Sequence, residues 1–243
     1  MYSIIIAFLA GLLSALIIGF ISGYFGLGVF IGIIIMIVTF FFLMRYFSSK
    51  LRDIFFLANA ELHKQKIDKS IEILKSGYNY KNWFFLIPAQ IESQIGMIYY
   101  TQRKFGDAYK SLQKSNPRIF SAYLMLIIGH IKNNKKDEAL KAIPLVMKFN
   151  KKEAFVFSVA AYLFEEEFDD KLAAIDALKK GLKNIPANHN LNEHLLAIQN
   201  NKKYKMDHWG DMWLQLMLDK NAVQKLQQKY MPNRYSAAKG YYR

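Results

Sequence analysis

The first 44 residues carry no charged side chain, and Arg45 ends the run. From Tyr2 to Met44 the chain is almost entirely Ile, Leu, Phe, Val, Met, Ala and Gly. One helical crossing of a bilayer takes about 20 apolar residues. The run is roughly twice that length, so it predicts two crossings, at about Tyr2–Ile21 and about Leu27–Phe47. Between them lies Ser22-Gly23-Tyr24-Phe25-Gly26, where glycine allows a tight turn. A cleaved signal peptide fits less well: there is no Lys/Arg n-region, and the run is too long for an h-region.

Every one of the 33 Lys/Arg and 19 Asp/Glu lies from Arg45 onward, so the net charge of +14 belongs to the part outside the apolar run. Arg45, Lys50 and Arg52 follow the second crossing directly, whereas the turn is uncharged. By the positive-inside rule both ends face the cytoplasm at an inner-type membrane. The basic part then lies beside anionic lipid headgroups, a partner worth about 1 kcal/mol per nearby Lys or Arg. Gly19-x-x-x-Gly23 and Gly28-x-x-x-Gly32 place small residues one turn apart, where membrane helices approach closely. The expectation is packing within the hairpin, with a homo-oligomer contact as the alternative. No ionisable residue lies inside the run, which argues against a transporter or proton relay.

After Leu51 apolar residues recur at three- and four-residue spacing, and no segment alternates like a strand, so the fold class is all-α. The segments repeat. Ser70, Ala108, Ala139 and Ala174 hold equivalent places, spaced 38, 31 and 35 residues apart, each after a short polar break. A large apolar residue follows four later (Leu74, Leu112, Ile143, Leu178), and the last unit closes on Gly181 and Pro186. In the third unit Pro144 falls within the second helix and predicts a kink or an end there.

A helix–turn–helix period near 34 residues resembles the tetratricopeptide repeat. The likeness covers 51–186, although no unit carries the family's early tryptophan. It implies an α-solenoid of about four helical pairs, in which Tyr99, Leu112, Phe164 and Leu178 pack in the core. It also implies a partner groove along the first helix of each pair, with candidates Asn59, Gln90, Ser93, Met97, Tyr100, Ile128 and Glu166. The organisation expected is a hairpin over 1–47, repeats over 48–186, a helical cap over 187–230 and a mobile basic tail over 231–243. The cap comprises helices at about Leu191–Asn200, Asp207–Leu218 and Ala222–Lys229.

Little points to bond chemistry. There is no cysteine, and no Gly-rich loop is followed by Lys-Ser/Thr. His189 and His194 are five apart, which is not a two-ligand helix spacing, so neither metal nor cofactor is expected. Glu165-Glu166-Glu167 and Asp169-Asp170 read as a solvated turn, with Asp169 or Asp170 capping the next helix. Lys202, Lys203, Tyr204 and Lys205 mix basic and aromatic residues, but no nucleic-acid motif accompanies them. The expectation is a non-enzymatic, membrane-anchored scaffold or adaptor for a protein partner. The alternative is a subunit or assembly factor of a membrane complex whose working part is the hairpin.

Overall fold

A computed structural model describes residues 1–218. The helix expected at about Ala222–Lys229 and the tail expected over 231–243 lie outside the described residues. Every regular element is helical, and no strand occurs among the described residues. The chain forms two compact units, residues 1–99 with 113–116, and residues 100–112 with the described residues from 117 onward.

The first unit begins with helix α1, Tyr2–Ser22, and helix α2, Phe25–His63. The turn between them is shorter than expected. Gly23 alone closes α1, in the left-handed region at φ 68°, and Gly26 and Gly28 already belong to α2. A Cβ on Gly23 would meet nothing within 4 Å, so this glycine serves the turn and not helix packing.

The packing stripe lies elsewhere on α1. Ser3, Ala7, Gly11, Ala15 and Gly19 recur every fourth residue, and all but Ala15 are buried. Opposite them, a Cβ on Gly28 would stand 2.5 Å from the carbonyl oxygen of Ala15, and one on Gly32 2.6 Å from that of Gly11. The two backbones touch, as small residues in membrane helices permit. Both helices contain an 18-residue stretch of mean hydropathy 2.9, of which only 17% and 11% is buried. They are long and apolar enough to cross a membrane, and so little burial is not what the core helix of a soluble domain would show.

The second correction concerns the end of α2. The helix does not stop at Phe47 but runs on to His63, 39 residues in all, or about 58 Å. No Gly or Pro interrupts Arg45 to His63, and the helix leaves the apolar zone without a break. Helix α3, Ile67–Ser76, folds back onto its outer half. A 3₁₀ turn, Gly77–Tyr80, leads towards α4, Ile87–Thr101. Leu51, Ala58, Ile71, Leu74, Ile87, Ile91, Ile95 and Ile98 form the core of this unit, with Tyr99 packed against it.

The second unit contains α5 (Phe105–Leu112), α6 (Phe120–Lys132), α7 (Lys136–Phe149), α8 (Ala154–Glu166), α9 (Lys171–Asn184), α10 (His189–Gln199) and the short α11 (Asp211–Gln215). Neighbours in sequence pack on one another from α5 through α10. Leu112 and Leu178 are fully buried, as expected, whereas Tyr99 and Phe164 are half-buried.

The repeat read from the sequence has a backbone counterpart. Gln65, Arg103, Asn134 and Asp169 all adopt left-handed φ values, 61°, 60°, 57° and 52°. Each stands two residues before the start of α3, α5, α7 or α9. Ser70, Ala108, Ala139 and Ala174 then occupy the fourth position of those helices, every one 0% exposed. Ser70 keeps its hydroxyl there by donating to the Ala58 carbonyl at 2.8 Å.

Pro144 does not end α7, which continues to Phe149. Both Pro144 and Leu140, whose carbonyl loses its partner, lie on the exposed face, where that carbonyl is open to solvent. Asp170 is the cap of α9, its carboxylate accepting from the Ala173 N–H at 2.9 Å, while Asp169 takes the left-handed turn position.

The helix expected over 207–218 is two short pieces, a 3₁₀ turn at Met206–Trp209 and α11, divided by Gly210 at φ 54°. They lie against α8: Trp209 packs on Phe155 and Trp213 on Tyr162, with ring centroids 5.4 and 4.8 Å apart.

Candidate functional site

The outer half of α2 carries Ile54, Phe55, Phe56 and Leu57 in a row. Four successive apolar residues point around more than half of a helix, so one core cannot bury them all. Ala58 is packed inside, whereas Phe56 is 74% exposed and Leu57 55%. An open groove of about 390 Å³ results. It is lined by Arg52, Phe55, Phe56, Ala58, Asn59 and Leu62 of α2, Ser70 and Leu74 of α3, and Gln94 and Ile98 of α4.

The groove therefore offers aromatic and aliphatic surface, two carboxamides and one guanidinium. Arg52 reaches the Ser49 hydroxyl at 3.4 Å, a long contact that leaves its other donors for a ligand. Farther along α2, Lys64 and Lys69 lie 2.8 and 3.5 Å from Glu61. The hydrogen bond from Lys64, with the charges of Lys64 and then Lys69, outweighs desolvation and holds the Glu61 carboxyl below its usual range.

Of the seven groove candidates, Asn59 lines this groove. Gln90, Ser93 and Met97 do not; the α4 wall consists of Gln94 and Ile98, each one position farther on. Ser93 is buried, with its hydroxyl donating to the Ala89 carbonyl at 2.7 Å. In the second unit Tyr100 and Ile128 are buried, and the Tyr100 hydroxyl donates to the Leu216 carbonyl at 2.7 Å. Glu166 is exposed and faces Lys203 at 3.5 Å. Phe55, Phe56, Gln94 and Ile98 were not among the candidates. The signal was the four-residue apolar run on α2.

The three basic residues after the apolar run are all exposed, and Lys50 lies over the Tyr46 ring at 5.8 Å. Tyr2, Tyr24 and Tyr46 follow one another at 22-residue intervals along α1, the turn and α2. That interval is about 33 Å of helix, close to the ~30 Å of a bilayer's hydrocarbon layer. Tyr24 thus marks one end of the hairpin and Tyr2 with Tyr46 the other, as amphipathic rings do at membrane boundaries.

Among the described residues of the second unit, a serine and a histidine are paired. The Ser158 hydroxyl lies 2.8 Å from His194 Nδ1, and the Trp209 indole N–H donates to the same oxygen at 3.1 Å. Indole only donates, so the serine oxygen accepts from Trp209 and keeps its single proton for His194 Nδ1 or for Met206 Sδ, 3.6 Å away. Ser158 and His194 are 0% and 1% exposed, and burial pushes the imidazole pKa down to about 4. No substrate reaches this hydroxyl; the pair ties α10 to α8. Among the described residues no three His, Asp or Glu side chains converge as a metal site would require.

No family model matches the chain, no curated protein does, and no solved structure does.

Proposed function

We propose that this chain is a membrane-anchored adaptor that holds a protein partner in the groove beside α2, at the cytoplasmic face of the membrane. The single observation that carries the reading is Phe56. It lies 11 residues beyond Arg45 on one uninterrupted helix, about 16 Å farther along the axis. The headgroup layer adds only about 5–7 Å per side to the hydrocarbon. Lipid therefore does not account for a phenyl ring left open there, whereas a protein partner would. A partner segment with apolar side chains for Phe55, Phe56, Leu62 and Ile98 and a carboxylate for Arg52 matches the lining. The shared left-handed turn and the buried small residue support kinship of the helical pairs with tetratricopeptide repeats. In that reading the apolar hairpin is the anchor, with Arg45, Lys50 and Arg52 keeping both of its ends inside.

The test is site-specific photocrosslinking from the full chain in its native membrane. A crosslinker at Phe56 and one at Asn59 should give the same adduct, and one at exposed Glu72 on α3 should not. Phe56→Ala should abolish the Asn59 adduct. Equal labelling from Glu72 and Phe56 would refute the groove.

A second reading makes the hairpin the working part, as a subunit or assembly factor of a membrane complex. Its support is the outward face of the hairpin, including Phe8, Leu13, Phe30 and Phe41, all more than half exposed. Replacing Tyr2–Met44 by an unrelated hairpin separates the two: a retained Asn59 adduct favours the groove.

A further inference from the structure

The segment between α3 and α4 is bound to the start of α1. Residues 77–86 read Gly-Tyr-Asn-Tyr-Lys-Asn-Trp-Phe-Phe-Leu. Their backbone is tied to the first turn of α1: the Tyr2 N–H donates to the Asn82 carbonyl at 2.9 Å, and the Ser3 hydroxyl donates to the Trp83 carbonyl. Helix N-termini leave N–H groups without intrahelical partners, and apolar surroundings make those groups costly to leave so. The Asn82 carbonyl satisfies one of them, that of Tyr2.

The side chains are interlocked at the same level. Trp83 stacks on Phe47 with ring centroids 4.4 Å apart and meets Tyr2 edge-on at 5.6 Å. Tyr80 lies 5.8 Å from Phe47, and Tyr46 meets Phe47 edge-on at 5.2 Å. Tyr2 and Tyr46 mark the charged end of the hairpin. Whatever is bound directly to them shares their depth. The loop nevertheless leaves Phe85 61% exposed, beside Phe84 at 5.2 Å, with exposed Lys81 nearby.

We infer that residues 80–85 lie in the headgroup layer of the bilayer that the hairpin crosses, with Phe85 inserted at the acyl boundary and Lys81 among lipid phosphates. The occupant of this exposed aromatic surface is lipid because the surface continues the lipid-facing end of α1 and α2 through direct contacts. Phe85 differs in this from Phe56, which stands well outside the layer. Aromatic rings with one wet and one apolar side are the residues that settle there, and lysine stems reach outward to the phosphates. The first unit is then held by three elements: two spanning helices and one interfacial loop.

The chain has no cysteine, so single cysteines report without background. Nitroxide labels on full-length Phe85→Cys and Lys81→Cys would be measured in phosphatidylcholine–phosphatidylglycerol vesicles. Collision rates with oxygen and with a water-soluble nickel complex give the depth. Leu13→Cys supplies the bilayer interior and exposed His63→Cys the aqueous reference. The label at 85 should fall between the two references, and the one at 81 between 85 and 63. Should the label at 85 match that at 63 while the one at 13 is deep, the loop contact is refuted and the hairpin reading survives. Should 13 also match 63, the membrane reading falls as well. Lys81 carries no packed ring, so its label keeps the test valid if Phe85→Cys disturbs the loop.

Discussion

Acidification should remove a defined share of the second unit's stability, through one residue. His194 is 1% exposed, stacked on Tyr204 with ring centroids 4.1 Å apart, and its Nδ1 lies 2.8 Å from the Ser158 hydroxyl. Burial lowers its pKa from 6.5 to about 4. In the unfolded chain the imidazole takes up a proton below about pH 6.5, whereas in the folded chain it waits until about pH 4. Its stabilising effect is thus complete above pH 6.5 and is lost as pH falls through that window. The loss runs at about 1.4 kcal/mol per pH unit and totals about 3 kcal/mol, a large fraction of the ~5–15 kcal/mol of an ordinary domain.

The assay is urea unfolding of the detergent-solubilised full chain at a series of pH values, read by far-ultraviolet circular dichroism and tryptophan emission. The comparison is His194→Phe, which keeps a flat ring over Tyr204 but does not titrate. At pH 7 the variant should be weaker by about 1 kcal/mol, from the lost Ser158 contact. Near pH 4 the order should reverse, with the variant ahead by about 2 kcal/mol. Burial also lowers the His130 pKa and raises that of Glu165, but both groups titrate in both proteins. Only the difference between the curves is diagnostic. Parallel curves across the window would refute the argument that His194 is held neutral by burial.

Other expectations concern the hairpin and one cap. Gly28→Ala drives a methyl into the Ala15 carbonyl, so it should weaken the α1–α2 contact by about 1–3 kcal/mol. Gly26→Ala meets nothing within 4 Å and should leave the contact intact. Thermal unfolding in detergent separates the two variants. Asp170→Ala deletes the acceptor for the Ala173 N–H and should cost about 1 kcal/mol by urea unfolding, whereas Asp170→Asn should cost little.

Much of the helical plan was legible in the sequence because its signals were local. A polar break, a left-handed turn and a buried small residue are fixed within about six positions, which is why Ser70, Ala108, Ala139 and Ala174 aligned correctly. Features decided by the environment were less legible. Pro144 breaks a helix only where its missing bond matters, and on the exposed face of α7 it does not. Arg45 marks the edge of an apolar zone, but charge does not stop a helix, so α2 ran past the expected end at Phe47. On α4 the pocket is lined by Gln94 and Ile98, one position and so a 100° rotation from the expected Ser93 and Met97, and that facing needs α2 and α3 in place to settle. Nothing near Trp83 in sequence announces Tyr2, which is 81 residues away. The four-residue stripe from Ser3 to Gly19 was legible and went unread, hidden by the more obvious glycine pairs.

The unbroken course of α2 makes the first unit a lever. A jointed anchor would let the membrane move without disturbing what it carries. Here Arg45 and His63 are ends of one rod about 27 Å long, so a 10° change of tilt sweeps His63 sideways by about 5 Å. Helices tilt when bilayer thickness ceases to match their apolar length. If the hairpin crosses a bilayer as proposed, the groove and the loop at Trp83 would feel lipid composition directly: a thinner membrane would lean the rod and strain the clamp at its foot.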